Sequence, residues 1–198
     1  MRKLVLATGN ENKVYEIKEL LRGLPVEILT LKDFTGISMP EEDRPSFGGN
    51  AAKKAETVSG ATGEMALADD SGLAVDALGG RPGVHSARYA GENGNYEANN
   101  RLLLEELKDV PPEQRSARFV CAIAVAVPGD QTYIIEEDCP GWIAESPRGE
   151  GGFGYDPLFI YEPAGKTFAQ MTPEEKNRVS HRGKALRRTR ELLERLLT

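Results

Sequence analysis

Short apolar runs and helical stripes alternate along the whole chain. Residues 3–8 (KLVLAT) are an apolar run of strand length, and Val14, Ile17 and Leu21 then recur at helical spacing before Gly23. VEIL at 26–29 predicts a second strand, and residues 40–49 (PEEDRPSFGG) predict an irregular, charged loop. Residues 50–63 predict a helix of small residues with Ala51, Ala55 and Val58 on one face. Residues 65–78 (MALADDSGLAVDAL) predict strand, acidic turn and strand; residues 79–95 predict a loop and residues 96–108 an amphipathic helix. ARFVCAIAVAV (117–127) and TYIIEE (132–137) flank the turn PGDQ and predict a β-hairpin. A glycine-rich stretch at 147–157 leads into a strand, LFIY. TPEEK then has capping-box form with proline at the first helical position, and the last helix carries Leu186, Leu192, Leu193, Leu196 and Leu197. Strand and helix mix throughout, without repeats or a linker. The predicted class is α/β with a mixed sheet.

A chain of 198 residues with 39% hydrophobic content suits one sizeable domain, or two small lobes sharing a core. The basic start precedes only five apolar residues, too few for a signal peptide or a membrane span. Two cysteines, Cys121 and Cys139, are too few for a disulfide framework or a zinc cage, so a reduced, cytoplasmic protein is expected. The net charge of −6 argues against broad binding to nucleic acid. From residue 172 to 198, however, eight Lys/Arg stand against four Glu, giving +4 there and −10 elsewhere. The front of that segment could wall a small polyanion; its Arg187 to Arg195 part reads as a solvated helix face.

The chemistry-bearing residues are mostly acidic. Asp69 and Asp70 end an apolar strand, where two carboxylates are costly unless paired or metal-bound. Consecutive strand residues face opposite ways, so only one is expected to enter a site; the alternative is that both cap the next turn. Glu41, Glu42 and Asp43 form a second acidic run. One carboxylate from each group would suffice for Mg²⁺, which takes phosphate oxygens and water for the rest, with Lys13 and Lys54 complementing the phosphates. The turn LATGNENK is not a P-loop, because Gly9 is followed by Asn10-Glu11-Asn12-Lys13-Val14. GEGGFG at 149–154 matches the dinucleotide fingerprint in letters only, since a strand and not a helix follows it. Phe153 and Tyr155 read instead as a collar for a flat ligand, or as core aromatics beside a turn. His181 and Arg182 in SHRG stand where a helix starts and can donate to a carbonyl or phosphate, or else Ser180 caps and both face water. His85 has no assigned partner. No G-x-S-x-G or His-Glu-x-x-His occurs, so carboxylate-plus-magnesium chemistry on a nucleotide is preferred to nucleophilic or zinc catalysis.

Five stretches, LATGNENK, FGGNAAKKA, ADDSGLAVDALGGRPGVHSARY, GGFGYDPLF and EEKNRVSHRGKA, occur in an order and spacing that resemble the inosine/xanthosine triphosphate pyrophosphatase family. Gly49 departs from the glutamate common there. The resemblance implies a long curved mixed sheet with flanking helices, two lobes around a nucleotide-binding cleft in a single domain, and a homodimer. It implies Mg²⁺-dependent hydrolysis of ITP, dITP and XTP to monophosphate and pyrophosphate. Residues 8–13 (Thr8, Gly9, Asn10, Glu11, Asn12 and Lys13) would wrap the triphosphate, with Asn10 and Lys13 in direct contact. Asp70 would be general base and metal ligand, Glu41 or Glu42 the second metal-linked carboxylate, Ser71 a substrate contact, and Lys54 the helix lysine near the phosphates. Phe153 would stack on the base, with Gly154, Tyr155 and Asp156 lining it and Lys176, His181 and Arg182 completing the contacts. Two further readings stay open: a nucleotide-binding sensor without turnover, and a related pyrophosphatase for modified pyrimidine nucleotides.

Overall fold

A computed structural model describes residues 2–197, the side chain of Asn12 excepted. Seven strands form one mixed sheet: β1 (Arg2–Leu6), β2 (Val26–Thr30), β3 (Met65–Val75), β4 (Ser116–Ala126), β5 (Thr132–Ile143), β6 (Phe159–Tyr161) and β7 (Lys166–Thr167). Their order is β2-β1-β3-β4-β5-β6-β7. β1 runs parallel to both neighbours, with Leu4 opposite Ile28 and Met65, whereas β6 is antiparallel to β5 and β7. β4 and β5 are neighbours joined by only a short turn, which leaves antiparallel pairing as the geometry available to them. The helices are α1 (Glu11–Leu20), α2 (Phe47–Thr62), α3 (Tyr96–Glu106), α4 (Pro173–Val179) and α5 (His181–Leu197). None of the described helices is long and apolar enough to cross a membrane.

The predicted turn inside residues 65–78 is absent. β3 continues through both aspartates to Val75, and only residues 76–78 turn. The carboxylates need no exposed bend because each meets cationic or amide donors inside the protein. The small-residue helix starts at Phe47 rather than residue 50, capped by Ser46, whose side chain accepts from the Gly49 amide. The last basic segment is two helices, opening at the TPEEK capping box and at SHRG as the sequence predicts, whereas the two-residue β7 was not foreseen.

The chain divides into two compact units. The first comprises Met1–Asp70, Cys121–Glu136 and Ala185–Thr198. Here the strand period of two separates side chains by size. Leu4, Leu6, Met65, Leu67, Ile123 and Val125 pack with Ile17 of α1, Leu21 just after it, and Leu186, Leu192 and Leu193 of α5. Their alternates, Val5, Ala7, Ala66, Ala68, Ala122 and Ala124, pack with Ala51, Ala55 and Val58 of α2. Alanine against alanine lets α2 lie close to the sheet, and α2 carries two polar residues of the site described next.

The second unit comprises Ser71–Val120 and Glu137–Lys184. Its core gathers Leu73, Val75, Leu103, Phe119, Leu158, Phe159 and Phe168. Phe119, Phe159 and Phe168 are mutually in ring contact, with centroids 4.6 to 5.7 Å apart.

Candidate active site

In the first unit, the parity that sorts apolar side chains also sorts the two aspartates. Asp69 follows Leu67 toward α1, where Lys13 Nζ stands 2.8 Å from its carboxylate. Asp70 follows Ala66 and Ala68 toward α2. There it accepts a hydrogen bond from Asn50 Nδ2 at 3.1 Å, and Lys54 Nζ stands 3.7 Å away. Both aspartates are buried, so each is compensated from a different helix.

Lys54 is the hub of this cluster. Its ammonium also donates to Glu42 Oε1 and to the Asp69 carbonyl, both at 2.7 Å. Burial draws its proton affinity down, but Asp70, Asp69 and Glu42 together hold it above the ordinary lysine value. Burial pushes the Asp70 carboxyl up, to about 6, against the pull of Lys54. Glu42 pushes it the same way as burial, while Asn50 and Lys13 draw it down. Of the two glutamates left open by sequence, Glu42 stands in this cluster. Glu41 is exposed, and its carbonyl, together with the Asp43 carboxylate, accepts from Lys53. Among the described residues no three Asp, Glu, His or Cys side chains are grouped to hold a metal, and Asp70 and Glu42 are two carboxylates that meet at Lys54.

The loop ahead of α1 is built by its own side chains. Thr8 Oγ1 accepts from the Asn10 amide, and Asn10 Oδ1 caps the helix by accepting from the Lys13 amide, both at 3.2 Å. Residues 8–13 thus present a capped helix start, with Gly9 unhindered by neighbours. Glu11 does not join them through its side chain, which pairs with Lys32 at 2.7 Å in water. The Asn12 side chain lies outside the described residues.

In the second unit the loop at 149–157 is folded around Asp156. The Asp156 carboxylate accepts from the Phe153 amide at 2.8 Å and from Lys176 Nζ at 2.5 Å. A Cβ on Gly152, whose φ is +74°, would stand 2.1 Å from Asp156 Oδ2, so glycine is required for the carboxylate to tuck under the loop. Phe153 is half-buried, with Lys176 Nζ 5.0 Å and the Arg182 guanidinium 5.5 Å from its ring centre. Tyr155 is buried and donates to the Ser86 carbonyl at 2.9 Å, so it anchors the loop rather than standing open as a collar.

His181 and Arg182 open α5. Ser180 Oγ accepts from the Gly183 amide, as a cap should, yet both residues are buried rather than facing water. The His181 ring stacks on Phe119, with centroids 4.7 Å apart and planes 11° from parallel. Arg182 Nη2 donates to Ser71 Oγ at 3.1 Å. Asn50, Asn100 and Ser86 are contributors that the sequence reading did not single out. Asn50 and Ser86 lie inside quoted motifs, but an asparagine bonded to a carboxylate 20 positions later leaves no local pattern.

A sequence model of the Ham1 family matches residues 4–192. The chain is 54% identical over 186 residues to the dITP/XTP pyrophosphatase of Geobacillus kaustophilus, covering 94% of this chain and 91% of that protein. In structure it is similar to a HAM1 protein from Coxiella burnetii, with TM-score 0.92 and 40% identity across 98% of each chain. It is also similar to a nucleoside-triphosphatase / dITP/XTP pyrophosphatase from Mycobacterium abscessus, with TM-score 0.82 and 43% identity over 94% and 97% of the two chains.

Proposed function

Because the chain belongs to the Ham1 family, we propose that it hydrolyses non-standard purine nucleoside triphosphates, ITP, dITP and XTP, to the monophosphate and pyrophosphate with Mg²⁺. The observation that carries the reading is the buried Asp70 carboxyl held between Asn50 and Lys54, with a proton affinity near neutrality. A general base works best in that range.

Asp70 accepts the proton of the water that attacks the α-phosphorus. Asn50 fixes the carboxylate's orientation, and Lys13 and Lys54 take up charge that develops on the phosphate oxygens. Asp70 and Glu42 are the oxygen donors suited to Mg²⁺, an ion satisfied with one or two carboxylates plus phosphate and water. When bound, the ion screens carboxylate from phosphate. In the second unit, Phe153 supplies the stacking surface for the base, and His181 and Arg182 aim donors at the 6-oxo group. Adenine, with an amino group there, leaves such donors unmatched at about 1–3 kcal/mol each. A homodimer and a cytoplasmic setting complete the proposal; light scattering of the purified protein checks the first.

The test is pyrophosphate release from ITP, XTP, GTP and ATP with Mg²⁺ or EDTA. Fast release from ITP and XTP, abolished by EDTA, is expected. Release that persists in EDTA would remove the metal from the proposal, and tight ITP binding without release would leave a sensor.

A further inference from the structure

The second unit brings one more element to the base loop. It is α3, two of whose residues, four apart and so on one helix face, reach the loop. Asn100 Nδ2 donates to the Gly154 carbonyl at 2.9 Å, a contact spanning 54 positions of sequence. That carbonyl fixes which atom of the amide points at the loop, because only the NH₂ end can donate to it. Its other end, Oδ1, is buried with no hydrogen-bond partner among the described residues. One turn earlier, Tyr96 is 41% exposed and its ring lies 6.2 Å from that of Phe153, tilted by 42°.

Gly154 directly follows Phe153 and has φ of +63°. Asp156 in turn holds the Phe153 amide. Asn100 and Asp156 therefore grip the backbone at and next to Phe153, while Tyr96 touches the ring itself. We propose that Asn100 is a positioning residue for base binding, acting through Gly154 to set the plane of Phe153, and that Tyr96 contributes an apolar flank to the seated purine. The inference rests on the base-stacking role given to Phe153 above. An aromatic flank serves any purine, so the pair sets affinity for the base without choosing among 6-substituents.

The experiment measures kcat and KM for ITP, and inhibition by pyrophosphate, for wild type, Asn100→Leu, Asn100→Asp and Tyr96→Ala in the full chain. Asn100→Leu keeps the volume and removes the bond; Asn100→Asp keeps the shape but sets an acceptor against a carbonyl. Each is expected to raise KM for ITP about five- to tenfold with kcat within about twofold. Pyrophosphate, which carries no base, should inhibit all variants equally, a readout that general loosening of the fold would move. In a Phe153→Ala background, Asn100→Leu should have no further effect on KM. Unchanged KM in both Asn100 variants, or additive losses with Phe153→Ala, would overturn the proposal. A silent Phe153→Ala would instead sink the base-stacking reading itself, and absence of ITP turnover in the wild type would sink the proposed function.

Discussion

At Asp70, burial and the neighbouring lysine act against each other, and burial prevails, so the carboxyl keeps its proton to about pH 6. In the unfolded chain an aspartate ionises near pH 4. Between these values the folded protein retains a proton that the unfolded chain has released. Stability therefore falls as pH rises through the window, and a penalty of about 3 kcal/mol is complete above it. Asp70→Asn should stabilise the metal-free protein at pH 8 by up to that amount and by almost nothing below pH 4, as read from urea unfolding at several pH values. A gain independent of pH would contradict the assigned ionisation. The same substitution should lower the rate by about 10²–10⁴-fold while nucleotide binding survives. His181→Ala should narrow the ratio of kcat/KM between ITP and ATP. It also removes a ring stacked on Phe119, so stability falls too, but a ratio of substrates does not depend on the folded fraction. An unchanged ratio would remove His181 from recognition. At this scale the acidic pair and the lysines were legible because charged residues beside apolar runs demand an explanation. The Asn50 contact was not, because nothing local distinguishes an asparagine in the first turn of a helix from a cap.

Elements were legible where their period was clear. The apolar runs of β1 and β4, the stripe on α1 and the capping box of α4 all appear where the pattern put them. β3 was misread as two strands because Asp-Asp-Ser-Gly has turn chemistry, and only tertiary partners reveal that the turn is unnecessary. The junction of α4 and α5 hides a similar tertiary demand. A Cβ on Gly183 would stand 1.9 Å from the Asn177 carbonyl oxygen, so the two helices meet as closely as they do only with glycine there. Gly183→Ala should destabilise by about 1–3 kcal/mol through forced displacement. It should also raise KM for ITP, because His181 and Arg182 move with the junction. Thermal melting and steady-state kinetics check the two effects; a variant with wild-type values in both would mean the junction yields at no cost.

Across the whole chain, sequence order and spatial grouping diverge. The backbone passes between the two compact units four times, after Asp70, Val120, Glu136 and Lys184. No periodicity in a single sequence announces such crossings, which is why a mixed sheet could be inferred but its partition could not. The first unit takes Leu186, Leu192 and Leu193 from the end of the chain. Burying three leucines contributes about 5–9 kcal/mol, comparable with the whole stability of an ordinary domain. A chain ending at Lys184 should therefore lose cooperative unfolding of the first unit by circular dichroism, and a native-like melt would refute that accounting. The alternation along β3 has one more consequence. Leu67, Ala68, Asp69 and Asp70 are assigned to α1 or α2 solely by odd or even position, so the strand behaves as a reading frame. Loss or gain of a single residue upstream would shift that frame, turning leucines toward the alanine face and trading each acid's lysine for the other's. Substitutions along β3 can be graded in their effects, whereas a one-residue change in its length cannot.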